Sequence, residues 1–167
     1  MPELIDRSPA QGWIQIDGHK LILNGQGTHS VFVFKVYDIS LFLEKRSSDA
    51  AALLSSSDRK VILLKFLRDV SGDQLRSALS DGFNENCDNR CSQLKGNLDE
   101  INSKIPDFKE GDSLMLEFLP SQLILESARG SRIQLANSSL NRILLSIWIG
   151  SDPPSDSLKK SLLGLPD

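Results

Sequence analysis

The stretch that decides the fold is LNGQGTHSVFVFKVYDISLFLEK, Leu23 to Lys45. Two glycines, a histidine, three phenylalanines and a tyrosine crowd into what reads as a strand pair. After Thr28 the residues alternate, and one long strand, or two with a bend near Asp38, accounts for them. Strict alternation puts Val31, Val33, Lys35, Tyr37 and Ile39 on one face and Phe32, Phe34, Val36 and Asp38 on the other, unless a bulge resets the phase. The segment is either the wall of a binding site or the middle of a sheet, and its surroundings discriminate between the two.

Just upstream, WIQIDGHKLIL reads as a β-hairpin about Asp17-Gly18, because a type I′ turn needs positive φ at both central residues. Downstream, SSDAAALLSSS reads as a short helix capped by Ser47, Ser48 or Asp49. RKVILLKFLRDV follows as a strand covered on both faces. Ser71-x-x-Gln74 forms a capping box, and Leu75, Ala78, Leu79 and Phe83 repeat along one helical face. A second helix runs from about Asn89 to Ser103 with Leu94, Leu98 and Ile101 inward, and Pro106 ends it.

DSLMLEFLPSQLILESARGSRIQLA reads as three strands joined at Pro120-Ser121 and Arg129-Gly130-Ser131. A helix capped by Asn137 or Ser138 then carries Leu140, Ile143, Leu144 and Ile147 to Gly150, and a short helix from Asp156 closes the chain. Strands, helices, strands, helices is the order of an α+β domain, with helices packed on one face of an antiparallel sheet. At 167 residues the chain makes one domain over 1–167, with 1–11 as a loose N-terminal tail.

A net charge of −3 and a pI near 5.4 give no footprint for nucleic acid. No apolar run is long enough to cross a membrane. The first residues lack a secretory leader, so the chain is expected in the cytoplasm, or in the periplasm if a leader has been removed. Cys87 and Cys91 read as two helix-surface or half-buried thiols, since C-x₃-C without paired histidines is a poor zinc set. Neither a metal nor a cofactor is expected.

Nucleophile and phosphate-loop motifs are absent, and GQGTHS leads into a strand, so no helix N-terminus is offered to a phosphate. Tyr37, the sole tyrosine, reads as core with a satisfied hydroxyl. Asp69 and Arg68 read as a surface ion pair or turn, His19 as solvated, and Trp13 and Trp148 as core.

Three stretches taken in order resemble the chalcone isomerase superfamily, in particular its bacterial chalcone isomerase-like branch. LNGQGTHSVFVFKVYDISLFLE is similar to that family's NGxGxR segment. KFLRDVSGDQLRSALSDGF is similar to its strand, turn and helix, and LLSIWIGSDPPSDSLKKSLLG to its closing helices. The resemblance implies an open-faced β-sandwich, a large curved antiparallel sheet under a helical layer, with a ligand cleft between them. In the plant enzymes of that family, a guanidinium in the cleft polarises the substrate carbonyl during ring closure.

The positions of that machinery carry over to different residues here. The arginine position holds His29, the threonine position Tyr37, the helix tyrosine Leu75, the asparagine Gly82, and the late serine or threonine falls near Asn141. A histidine of ordinary pKa is charged only about a quarter of the time at pH 7, and it lacks the guanidinium fork. The expected function is therefore non-catalytic binding of a small apolar or amphipathic, fatty-acid-like molecule, with His29, Tyr37, Leu75, Gly82 and Asn141 lining the cleft. The alternatives are an intramolecular lyase or isomerase with a non-chalcone substrate, and an accessory protein whose cleft is closed. His29 itself is either a ligand contact or a turn-end residue bonded to backbone. Gly82, inside a helix, is tolerable if close approach of a ligand or of another backbone requires it.

Overall fold

The structure, a computed structural model, describes residues 12–128, 130–136 and 138–166. The tail and the cap at Asn137 lie outside them. The strands are β1 (Trp13–Ile16), β2 (His19–Val31), β3 (Phe34–Leu43), β4 (Lys60–Phe66), β5 (Ser113–Phe118), β6 (Leu123–Ser127) and β7 (Arg132–Leu135). They form one seven-stranded antiparallel sheet in sequence order, curled into a half-barrel. The helices are α1 (Ala50–Ser55), α2 (Gly72–Asn86), α3 (Cys91–Asn102), α4 (Ser138–Ile149) and α5 (Asp156–Leu162).

Local chemistry explains most boundaries. Asp17 and Gly18 both take positive φ, 49° and 79°, in the first hairpin. Asp49 caps α1, and the Ser71–Gln74 box closes α2 reciprocally. The main core lies between the helices and one sheet face, where Ile39, Leu41, Ile62, Leu64, Leu116 and Leu125 meet Leu79, Phe83, Leu144 and Trp148. A smaller cluster of Ile14, Ile16, Leu21, Phe42, Val61, Leu63 and Met115 fills the other face of β1 to β5.

The segment Leu23–Lys45 departs from its sequence reading in three ways. It is a hairpin whose turn is Phe32-Val33, and the backbone runs straight through Asp38. His29 pairs with Tyr37 but Ser30 with Lys35, so a bulge beside Val36 resets the phase. Val31, Phe34, Val36 and Tyr37 thus share the helix-facing side, which strict alternation had divided.

The glycines, finally, sit within β2 rather than in a turn. A Cβ on Gly25 would lie 2.0 Å from the Ser161 carbonyl oxygen, and one on Gly27 would lie 2.7 Å from Leu158 Cδ1. They let α5 lie directly on the strand. Asn24 locks that contact, its amide donating to Leu162 O at 2.8 Å and Ser47 O at 2.9 Å.

The cysteines also differ from expectation. They are not on one helix: Cys87 ends α2 and Cys91 begins α3, with a tight turn at Asp88–Arg90 between them. Their Cα atoms are 5.0 Å apart and the sulfurs form a disulfide. Trp13 is half-buried under the Lys20 ammonium rather than in the core.

Candidate functional site: a cavity between sheet and helices

Where the β2–β3 ribbon, β4 and α2 diverge, they enclose a cavity of about 740 Å³. Its sheet wall is His29, Val31, Phe34, Val36, Tyr37, Leu64 and Phe66; its helical wall includes Leu75, Ala78, Leu79 and Gly82. Ile147 and Trp148 of α4, with Pro153 and Pro154, complete it. The volume and the largely apolar wall are those of a small-molecule site.

Four of the five positions carried over from the family meet at this cavity: His29, Tyr37, Leu75 and Gly82. Asn141 does not. Its amide donates to Leu119 O at 2.9 Å and Gln122 O at 3.1 Å, tying α4 to the β5–β6 turn beside a separate, more polar cavity of about 620 Å³. It lies two helical turns before Trp148, about 10 Å along α4, too far to share the wall. Gly82 is explained by packing: a Cβ there would lie 2.7 Å from Ile147 Cγ1, so α4 itself makes the close approach.

The floor is polar without being charged. Tyr37 is buried, and its hydroxyl oxygen accepts from Trp148 Nε1 at 3.0 Å. Burial pushes the phenol up to about 12, against the opposing effect of the indole bond, so it stays protonated and its O–H can donate to a guest. The His29 ring lies 5.0 Å from the Tyr37 ring, and burial lowers the imidazole below its ordinary pKa. A neutral histidine and a neutral tyrosine therefore stand side by side in the cavity wall.

The permanent cation lies elsewhere. Arg68, at the end of β4, is the one guanidinium lining this cavity among the described residues, and it stacks 4.7 Å over the Phe34 ring. Of the two readings of Arg68 and Asp69, a surface ion pair or a turn, the turn holds: the chain bends here and the ion pair does not form. That carboxylate instead accepts from the Glu110 backbone N–H at 2.9 Å and faces Lys109 at 3.8 Å. Asp69 itself, Asp81, Glu85 and Asp152 also line the cavity, and all four are exposed. Among the described residues no group of three or more His, Cys, Asp or Glu could hold a metal.

Residues 5–164 match the family described as chalcone isomerase-like. The chain belongs to that family. No curated protein is similar enough in sequence to match. Among solved structures, a fatty-acid binding protein of Arabidopsis thaliana superposes with a TM-score of 0.73 at 15% identity, covering 95% of each chain. At that identity the likeness shows the fold: the chalcone isomerase-like half-barrel with its helical layer. No helix is long and apolar enough to cross a membrane among the described residues.

Proposed function

We propose that this chalcone isomerase-like protein, a member of the family's bacterial branch on its ordered motifs, binds a single-chain carboxylic amphiphile in the 740 Å³ cavity. The observation that carries the reading is the apolar wall of the cavity, with the buried, uncharged Tyr37–Trp148 pair inside it and the exposed Arg68 in its lining beside the exposed Asp69, Asp81, Glu85 and Asp152. The acyl chain lies against Val36, Leu64, Phe66, Leu75 and Leu79, where each buried methylene contributes about 0.8 kcal/mol. The carboxylate stays at the rim beside Arg68, because an ionised head among His29, Tyr37 and Trp148 would be desolvated without a countercharge. His29 and Tyr37 contact the far end of the chain or a polar substituent on it. That the Arabidopsis neighbour is a fatty-acid binding protein supports the same ligand class. An open cavity beside His29 and Tyr37 argues against a closed cleft.

Native mass spectrometry of the purified protein and thermal shift with lauric to stearic acid test this. A bound acid at a hundredfold excess over Kd stabilises by about 2.7 kcal/mol, and Arg68→Gln weakens binding about tenfold or more, as expected for a hydrogen bond to a charged group. An empty spectrum together with no thermal shift from any of these acids would overturn the proposal.

A further inference from the structure

Among the described residues, the turn of the β2–β3 hairpin is the most apolar exposed point. Val31, Phe32, Val33 and Phe34 are 47%, 94%, 87% and 55% exposed, and only Leu165 joins them among the exposed large hydrophobics of the described residues. β4 pairs with β3 from Tyr37 onward, so the ribbon's last residues stand clear of the sheet. Phe32 takes φ 56° at the first position of a two-residue loop, where glycine is the usual occupant. A bulky residue there strains the backbone, and its side chain packs on nothing that could compensate. Folding does not select Phe32 and Val33, the two residues of the turn.

We infer that the Val31–Phe34 tip inserts into the interface of an anionic lipid bilayer, setting the cavity mouth against the membrane. The shape selects the occupant. A projecting point of four side chains falls short of the roughly 800 Å² per partner of a standard protein interface. It does suit an apolar wedge entering a bilayer interface by about 5–10 Å.

Charge agrees with this choice. Lys35 and Arg68 lie immediately behind the tip, and neither forms an ion pair among the described residues. The nearby carboxylates are engaged: Asp38 accepts from the Thr28 hydroxyl at 2.6 Å and stands across from Lys65, and Asp69 is held by Glu110 and Lys109. With the whole chain at −3, attraction to anionic headgroups is local to this end.

Val31 and Phe34 belong to both the tip and the cavity wall. A chain leaving the bilayer would therefore meet continuous apolar surface on its way inward. That loading route rests on the proposed ligand; the membrane contact does not. Phe32 and Val33 are outside the cavity lining, so the two can be tested apart.

The test is co-sedimentation of the whole chain with vesicles of pure phosphatidylcholine and of an equimolar mixture with phosphatidylglycerol. The wild type partitions onto the mixed vesicles. The double variant Phe32→Gly/Val33→Thr loses more than about tenfold in partition coefficient, while its melting temperature shows that it folds. Lys35→Gln loses about fivefold on the mixed vesicles and nothing on the neutral ones.

Partitioning that the double variant loses upholds the inference even if no fatty acid shifts the melting temperature, in which case only the ligand proposal falls. The inference is overturned if the wild type stays in the supernatant with mixed vesicles, or if the double variant partitions as the wild type does. It is equally overturned if light scattering shows a wild-type dimer that the double variant abolishes, since the tip would then be a contact between chains.

Discussion

Tyr37→Phe removes a single oxygen, yet the structure assigns it two separable effects. At neutral pH the Trp148 indole N–H loses its acceptor, 3.0 Å away, in a place where Trp148 is only 3% exposed and Tyr37 only 9%. A buried donor left unpartnered costs about 1–3 kcal/mol. For a chain of this length, that lowers the melting temperature by about 3–10 °C.

The second effect is alkaline. The folded-state phenol titrates at about 12 against an ordinary value of 10.0, and a group raised in this way favours the folded state until it ionises. Its contribution is fully present below pH 10 and is lost as the pH rises to 12, amounting to about 2–3 kcal/mol. Wild-type stability therefore falls more steeply than that of the variant across this window, and the gap between them narrows.

Denaturant unfolding at a series of pH values supplies both curves, and taking their difference removes every group they share. The chain has one tyrosine, so tyrosinate absorbance reports Tyr37 alone. Equal denaturant midpoints at neutral pH, or a tyrosinate midpoint near 10 in the folded protein, would refute the reasoning.

The remaining expectations concern the same hairpin. Gly25→Ala meets a backbone oxygen at 2.0 Å, whereas Gly27→Ala meets the flexible end of Leu158 at 2.7 Å. Chemical denaturation should show the first losing about 3 kcal/mol or more and the second about 1 kcal/mol; the reverse order would contradict the packing of α5 on β2. Phe32→Gly relieves the positive φ and should raise the melting temperature in calorimetry, against the usual loss for a glycine introduced into a strand. His29→Gln tests the depressed imidazole. A folded-state pKa below 6.5 makes wild-type stability decline as pH falls below that value, and the variant should lack this arm of the stability–pH curve.

How far the chain could be read depended on whether each feature had local chemistry behind it. The first hairpin was legible because Asp17-Gly18 supplies the positive φ that its turn needs, and α2 because its capping box and its apolar face agree. The second hairpin was hidden because its turn is Phe-Val, which reads as strand by propensity and alternation. That error also hid the exposed tip and the bulge that aligns Phe34 and Val36 with Tyr37. His29, Tyr37, Leu75 and Gly82 were found through the family pattern, and the cavity unites them. Arg68 and Asp69 were read as an ion pair or a turn; the bend is there, but Asp69 turns to the 109–110 loop and Arg68 to the Phe34 ring, contacts that adjacency in sequence does not encode. The Tyr37–Trp148 bond spans 111 residues, and no local periodicity encodes such a contact.

In the plant enzymes that the sequence resembles, ring closure uses a cation where negative charge develops beside the reacting carbonyl. Here the floor offers a lowered imidazole, a raised phenol and an indole, all neutral at physiological pH. The guanidinium has its place at the rim, on Phe34. Exchanging a buried charge for neutral donors removes the main electrostatic stabilisation of an enolate, and it also removes the cost of desolvating that charge when an alkyl chain fills the floor. In the proposed reading the apolar end of a guest lies inside and its anionic end at the mouth beside Arg68, which outcompetes the repulsion of the lining carboxylates by direct contact. The mouth is where Val31 and Phe34 join the wall to the exposed tip, so the charge that orients the guest and the surface proposed to meet its source lie at the same end of the hairpin.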